Sequence, residues 1–350
     1  MKKLLRILLV IILVLIFGFA GLIITAVITD YNPDETTLVF ESNNGTDIKD
    51  IQEFDILSWN IGYCGLDKSM DFFYDGGTHV RTSKENTINN LEKILNFIKQ
   101  QDSIEFFLLQ EVDKKSKRTY RINEYDTIRD ALKNYHAFFG KNYDVFFVPS
   151  PPAHPYGKVL SGIMSLSEFE PQKVTRYSFP GKYAFPKGLF MLDRCFLVSR
   201  FKLNNDKEFV LINTHNEAFD PGDQRKAQME YLKKFVMAEY LKGNYIVVGG
   251  DWNQCPPGLQ TSIRGYIFDN KDYMPISEDF MPSDWKWVYS NILPSNRRVI
   301  TPWNKETTAT TVIDFYLISP NVENISVETV DLNFENSDHE PVIAKFRLKK

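Results

Sequence analysis

Hydrophobic residues are distributed along this chain in two rhythms. Short runs rich in β-branched and aromatic side chains occur at 54–59, 106–109, 145–148, 162–166, 195–198, 209–213, 245–248, 313–318 and 342–346, with a further short one at 37–40. Runs of that length and composition predict buried strands. Between two of them Ile88, Leu91, Ile94, Leu95 and Ile98 recur at helical spacing, with Thr82 and Glu85 placed as a capping box. A second helix is expected over 224–241, burying Ala227, Leu232, Phe235 and Met237 and stopping at Gly243, and a shorter one over 127–135. Strands outnumber helices and do not alternate strictly with them, so two sheets packed face to face with helices outside fit better than a doubly wound parallel sheet. Segments 149–190 and 255–310, rich in Pro, Gly, Ser and aromatic residues, read as long surface loops.

The first 30 residues follow neither rhythm. Lys2, Lys3 and Arg6 precede an apolar run over 7–28, broken only by glycines and Thr25. At about 1.5 Å per residue that run is long enough for the roughly 30 Å hydrocarbon core of a bilayer. It exceeds the apolar region of a cleavable signal peptide, and its best small-residue site, near Ala20, lies inside it. The expected layout is a basic cytoplasmic N-terminus (1–6), a transmembrane signal anchor (7–28), a polar linker (29–53) and one large extracytoplasmic domain (54–350). That describes a single-pass membrane protein, with a cleaved signal peptide as the alternative.

Composition and charge refine this only slightly. The formal charge of −4 becomes −7 once Lys2, Lys3 and Arg6 are set aside, which argues against a general coat for nucleic acid. Cys64, Cys195 and Cys255 are widely spaced and form neither a zinc pattern nor a disulfide framework.

Candidate chemistry gathers where the apolar runs stop. The stretch 245–253 reads YIVVGGDWN: a strand, two glycines that permit a sharp turn, then Asp251 and Asn253, one residue apart. An anionic base beside a neutral donor suits activation of water next to a phosphate. Other runs end the same way, delivering Asn60, then Gln110 and Glu111, then Thr214 and His215; Ser337, Asp338, His339 and Glu340 precede the last run. Taken singly, Glu111 reads equally as a solvated acid, His215 as a hydrogen-bonded histidine and Asp338 as a turn cap. Asp314 lies inside an apolar run, where an unpaired carboxylate is costly, and His339 is its natural partner. Carboxylates and amides without a Cys/His cluster favour a hard cation, Mg2+ or Mn2+, over zinc.

Six motifs occur in order: Trp59-Asn60-Ile61, Gln110-Glu111-Val112, Asn213-Thr214-His215, Gly250-Asp251-Trp252-Asn253, Ile313-Asp314-Phe315 and Ser337-Asp338-His339-Glu340-Pro341-Val342. Together they resemble the endonuclease/exonuclease/phosphatase superfamily, the deoxyribonuclease I-like enzymes, over about residues 54–348. The resemblance implies an α/β fold, a four-layered α/β/β/α sandwich, and metal-dependent hydrolysis of phosphate esters. Carried over motif by motif, Glu111 binds the cation with Asn60 close by, and Asp338 completes the metal network. Asp251 orients or deprotonates the attacking water, Asn253 holds the phosphate, and His215 contacts the phosphate or assists the leaving group. Asp314 and His339 form a pair that stabilises developing negative charge. The chain departs from the pattern at Asn216-Glu217, where many relatives have an apolar residue after the histidine, and at Trp252, where Phe is commoner.

The substrate is less legible. Lys114, Lys115, Lys117, Arg118 and Arg121 follow Glu111, and Lys115 and Arg118 are expected to clamp further phosphates unless the cluster is an ordinary solvated loop. Tyr177, Phe179, Tyr183 and Phe185 suit stacking on bases, contact with lipid, or core packing. The anchor and acidic balance favour a phosphodiester of a lipid or inositol-type head group; the basic cluster favours a membrane-tethered nuclease acting on DNA or RNA. A domain that binds a phosphate ligand without turnover is the third reading.

Overall fold

The apolar runs form the strands of two sheets that stack on one another in this computed structural model. It describes all residues except 44, 47, 49–52, 204–206, 221, 260–262, 264–265, 269–272 and 350. Along the chain the strands are β1 Thr36–Glu41, β2 Glu53–Asn60, β3 Phe106–Asp113, β4 His136–Val148, β5 Gly157–Ser167, β6 Lys173–Ser178, β7 Cys195–Lys202 and β8 Glu208–His215. They continue as β9 Tyr245–Asp251, β10 Ile267–Phe268, β11 Lys286–Val288, β12 Asn296–Arg297, β13 Ala309–Thr311, β14 Asp314–Ile318, β15 Val322–Thr329 and β16 Val342–Leu348. The helices are α1 Lys2–Ile28, α2 Lys84–Lys99, α3 Glu124–Ala131 and α4 Asp223–Leu241. One sheet has the order β15-β16-β2-β3-β5-β4 and the other β1-β6-β7-β8-β9-β14-β11; β10, β13 and β12 form a small third sheet.

Both main sheets are covered on both faces, which is why their central strands read as unbroken apolar runs. Phe54, Ile56, Phe106 and Leu108 meet Phe209, Leu211, Val247 and Tyr316 between the sheets. The alternate residues Leu57, Trp59, Phe107 and Leu109 face outward to Leu91, Ile94, Leu95 and Ile98 of α2 and Ile128 of α3. On the far side Met229, Leu232 and Val236 of α4 cover Phe196, Val198, Val210, Ile212, Ile246 and Val248. The result is the expected α/β/β/α sandwich. Before it stands α1, long and apolar enough to cross a membrane, with none of its apolar window buried.

Local details differ from expectation. The cap of α2 is Ser83, whose Oγ accepts from Asn86 N at 3.0 Å, while Thr82 donates instead to Asp67 Oδ2 at 3.2 Å. The buried side of α4 is Arg225, Gln228, Met229, Leu232, Val236 and Glu239; Ala227 is exposed and Phe235 and Met237 half-buried. The pairing of Arg225 and Glu239 with partners explains why an apolar count misplaced that face. The short helix begins earlier, at Glu124, capped by Asn123. Within 29–53, β1 pairs with β6 and joins the seven-stranded sheet as its edge. The segment 149–190 holds β5 and β6 as well as loop. β6 escapes a hydrophobic reading because two of its three buried residues, Thr175 and Arg176, are polar; Arg176 donates to Lys141 O at 2.7 Å, Ser178 Oγ at 2.6 Å and Asp193 O at 2.9 Å.

Candidate active site

Strand register carries the polar residues to one rim. In the parallel pair β8–β9 His215 stands opposite Asp251, and in the antiparallel pair β14–β9 Asp314 stands opposite Asp251 from the other side. In the facing sheet Asn60 of β2 is opposite Gln110 of β3. Gln110 Nε2 reaches across to Asn213 Oδ1 at 2.8 Å and ties the two sheets together beneath the rim. The turn into β16 closes over this point: Ser337 Oγ donates to Asn60 O at 2.8 Å and Trp59 Nε1 to His339 O at 2.9 Å.

Two backbone features aim the groups. The register of β3 against β5 shifts between Leu109 and Val112, and Glu111 adopts φ 55° inside that bulge, which turns its side chain toward the cleft. Gly250 has φ +147°, and a Cβ there would lie 2.0 Å from Thr214 O. Only glycine lets β9 approach β8 so closely immediately before Asp251.

Asp251 is the hub. Asn60 Nδ2 donates to its Oδ2 at 3.0 Å and lies 3.5 Å from Glu111 Oε1. Asn253 N donates to Asp251 Oδ1 at 2.9 Å, and Asn253 Nδ2 to Asn216 O at 3.0 Å, leaving one amide N–H of Asn253 for the cleft. His215 Nε2 lies 3.5 Å from Asp251 Oδ2 and 3.9 Å from Glu111 Oε1. His339 Nδ1 lies 2.8 Å from Asp314 Oδ2, and its Nε2 lies 3.9 Å from both Asp251 Oδ2 and Asp338 Oδ2. Glu111, His215, Asp251, Asn253, Asp338 and His339 all line a cleft of about 490 Å³. Asn60 and Asp314 support it from behind. A second concavity of about 500 Å³, beside α2 and α3, carries none of these groups.

Burial and neighbouring charge separate the two histidines. Burial, together with the charges of Arg194, His339 and Arg118, holds His215 well below the ordinary histidine value, so it is neutral. Burial also works against a charged His339, but Asp314, Asp338 and Asp251 outweigh it and hold that imidazole well above its ordinary value. Asp251 is pushed up to about 6 by burial and by Asp314, against the opposing pull of His339 and Asn60. Burial and the Glu111 and Asp75 carboxylates push Asp338 up to about 7, against His339 and Arg297. Acids crowded until their pKa values rise are short of positive charge, and a divalent cation fits that deficit.

The donor geometry narrows where such a cation fits. Asp251, Asp314 and His339 offer ligand atoms within 4.8 Å of one another. Yet Asp314 Oδ2 is taken by His339 Nδ1 and by Ser295 Oγ at 2.7 Å, so this trio is better described as a hydrogen-bonded relay. Glu111 and Asp338, both on the cleft wall, are the acids left without such commitments to one another. Asn60 presents nitrogen toward them, because its oxygen accepts from Gly62 N at 3.0 Å.

The basic cluster does not survive folding. Lys115 is exposed and outside the cleft lining. Lys114 packs its Nζ 4.1 Å from the ring centroids of both Tyr125 and Phe139, and Lys117 donates to Pro155 O. Arg118 does line the cleft, but Asp113 holds it through two bonds of 2.9 and 2.8 Å, and it lies 3.6 Å over the Tyr63 ring. The loop radiates its charges in different directions. Tyr177 and Phe179 pack with Phe196 in the core, Tyr183 bonds Glu217, and Phe185 alone of that group is exposed.

Three contributors were not legible in the sequence. Ser295 accepts from the backbone N–H of Ile313 and Asp314, both at 3.0 Å, while holding the Asp314 carboxylate. Asn296 Nδ2 lies 3.0 Å from His339 Nε2 and donates to Asp338 O at 3.2 Å, while its Oδ1 accepts from Tyr273 OH at 3.1 Å. Arg194 lines the cleft with Nε 3.6 Å from Glu217 Oε2. Pro294-Ser295-Asn296 reads as an ordinary turn, and only the unsatisfied needs of Asp314 and His339 point to it.

Comparison with known proteins agrees with this fold. No curated protein sequence matches the chain. Among solved structures, ANGEL2, a 2',3'-cyclic phosphatase crystallised with adenosine-2',3'-vanadate, superposes with a TM-score of 0.55 at 17% identity, covering 91% of this chain and 100% of that one. An endonuclease/exonuclease/phosphatase from Bacteroides vulgatus gives 0.54 at 16% identity, covering 85% and 100%. TDP2 from Caenorhabditis elegans gives 0.53 at 15% identity, covering 86% and 75%. At such identities these likenesses speak for the fold. The model of the Endonuclease/Exonuclease/phosphatase family, hydrolases of phosphoester bonds, matches residues 57–339, and this chain belongs to that family.

Proposed function

We propose that the chain is a membrane-anchored phosphoesterase, dependent on Mg2+ or Mn2+, that hydrolyses phosphate esters of lipid or inositol-type head groups by direct attack of water. The observation that carries it is the convergence of Glu111, His215, Asp251, Asn253, Asp338 and His339 on one cleft, with neutral His215 and cationic His339 on either side of Asp251. Glu111 and Asp338 would hold the cation, with Asn60 close by, and the cation would offset phosphate charge. Asp251, with a pKa near 6, takes the proton of the attacking water. His339, kept charged by Asp314, stabilises the negative charge that develops on the phosphate, while Asn253 and His215 fix its orientation.

Dispersal of the basic cluster removes the main support for a nuclease. That reading retains a specific argument in the aromatic cleft walls, Tyr63, Phe72, Tyr143 and Tyr156, and in the adenosine ligand of ANGEL2. The test is turnover by the purified full chain with Mg2+ against phosphatidylinositol and sphingomyelin vesicles, DNA, RNA and 2',3'-cyclic nucleotides. Release of phosphorylated head groups supports the proposal. Cleavage of nucleic acid alone overturns it in favour of the nuclease, and no turnover on any substrate in the panel favours a binding domain.

A further inference from the structure

The inference rests on the anchored phosphoesterase reading and concerns which way the cleft faces. The chain between α1 and the catalytic domain is short and pinned. α1 ends at Ile28, and by Tyr31 the chain is already docked, with Lys141 Nζ 3.6 Å from the Tyr31 ring centroid. Lys182 donates to Asn32 Oδ1, Ser178 Oγ to Asp34 O at 2.7 Å, and Ser178 N to Glu35 O at 2.8 Å; β1 then enters the sheet. Two intervening residues reach about 7 Å at full extension, so the domain cannot move far from the membrane end of the helix.

The structure also shows which side is held there. The C-terminal end of α1 lies against β4 and the turn Lys187–Phe190, and Ala26 is buried while the rest of the helix is largely exposed. That turn belongs to a wall of the catalytic cleft, which Lys187, Met191, Leu192 and Arg194 line. In the segment leading into the same turn Phe185 is 70% exposed, close in sequence to exposed Lys182 and Lys187. Across the mouth, Tyr74 and Phe219 are exposed with ring centroids 5.9 Å apart. An aromatic side chain flanked by lysines suits the boundary between lipid head groups and acyl chains.

We propose that residues 180–192 lie in the head-group layer of the membrane that holds α1, so that the cleft opens onto that leaflet and receives the phosphate of a lipid still embedded in it. The occupant of this surface is the bilayer itself. The buried contact at Ala26, the short pinned tether and the continuity of Phe185 with the cleft wall all point the same way.

The experiment uses the full chain in phosphatidylcholine nanodiscs with phosphatidylglycerol as the anionic component. The native cysteines are buried, so Phe185→Cys takes an environment-sensitive fluorophore selectively, and Lys99→Cys, at the far end of α2, serves as the control. Brominated lipids are expected to quench the label at 185 by more than half and the label at 99 by less than a tenth. Equal, weak quenching at both positions overturns the proposal whatever the enzyme cleaves. A second arm compares Phe185→Asp with the native chain on phosphatidylinositol vesicles and on soluble bis(4-nitrophenyl) phosphate. A tenfold loss on vesicles with soluble turnover kept within twofold supports it, and an equal effect on both overturns it. If the native chain cleaves neither these nor any other substrate of the panel above, the phosphoesterase reading fails while the quenching result still decides the orientation.

Discussion

Replacing Asp314 by Asn separates the charge of the relay from its shape. The amide keeps an oxygen to accept from His339 Nδ1, now 2.8 Å from the carboxylate, and it fits the space held by Ser295. What is lost is the negative charge that keeps His339 cationic. Two unit charges at about 4 Å interact by about 4 kcal/mol at an effective dielectric of 20, which sets the scale of the loss. Removing one positioned group that stabilises transition-state charge costs about 2.7–4 kcal/mol, or a factor of about 10²–10³ in kcat. The expected result is therefore a fall of that size in single-turnover rate at saturating Mg2+, with KM within about threefold and the unfolding midpoint nearly unchanged. Asp314→Ala should behave differently, because it also removes the oxygen that accepts from His339 Nδ1 and Ser295 Oγ and leaves buried donors unpaired, at about 1–3 kcal/mol of stability. If the two residues act as one unit, Asp314→Asn combined with His339→Gln is no slower than the slower single variant. Turnover of Asp314→Asn within threefold of the native rate, or a double variant whose losses multiply, refutes the relay.

Other consequences follow from the same geometry. Gly250→Ala drives a Cβ to 2.0 Å from Thr214 O at φ +147°; urea unfolding should show a loss above about 3 kcal/mol, and turnover should fall because Asp251 shifts with the backbone. Glu239 is buried, which raises its pKa, but bonds from Arg200, Lys242 and Asn244 bring it down to about 2. Its folded pKa thus lies below the unfolded value, so the stabilisation is present above about pH 4.5 and fades as pH falls toward 2. Glu239→Gln should cost about 2 kcal/mol at pH 7 after allowance for solvent screening, and progressively less on acidification, read from denaturant melts at several pH values. Chelation should abolish turnover and Mg2+ or Mn2+ restore it, while added cation raises Tm in the native chain and not in Glu111→Gln combined with Asp338→Asn. A Tm and turnover indifferent to divalent cations would remove the metal from the mechanism.

The fold and the site were legible to different depths, for a physical reason. Central strands buried on both faces are largely apolar, so β2, β3, β8 and β9 announce themselves, and the polar residues that close each mark the rim. Asn60, Glu111, His215, Asp251 and Asn253 follow such runs, Asp314 stands out as an acid inside one, and Asp338 and His339 precede one; all eight meet at one rim. Of the pair expected to clamp phosphate, Lys115 lies outside the cleft lining and Arg118 within it, because side-chain direction in a loop is set by tertiary packing, not by sequence neighbours. β6 and α4 were misread in part because buried Arg176, Arg225 and Glu239 imitate surface residues. Ser295 and Asn296 arrive from a turn with no periodicity at all.

Glu217, the acid standing where relatives carry an apolar residue, shows how one departure is absorbed. Its Oε1 accepts from Tyr183 OH at 2.9 Å, Ala218 N at 3.1 Å and Phe219 N at 2.9 Å, so it joins the cleft wall that carries Tyr183 to the loop after β8. Its Oε2 faces Arg194, whose charge also helps keep His215 neutral. Both side chains are buried, and breaking such a pair strands a charge, at a cost of about 3–5 kcal/mol. Glu217→Leu should therefore lower stability by about that amount in urea unfolding. Replacing both partners, Glu217→Leu with Arg194→Leu, should recover most of it, since an apolar pair of similar volume avoids the desolvation penalty. Turnover should not recover with it, because Arg194 is also a cation on the cleft wall. If the double variant regains both stability and full turnover, the pair is structural only, and the cleft binds its phosphate ester without Arg194.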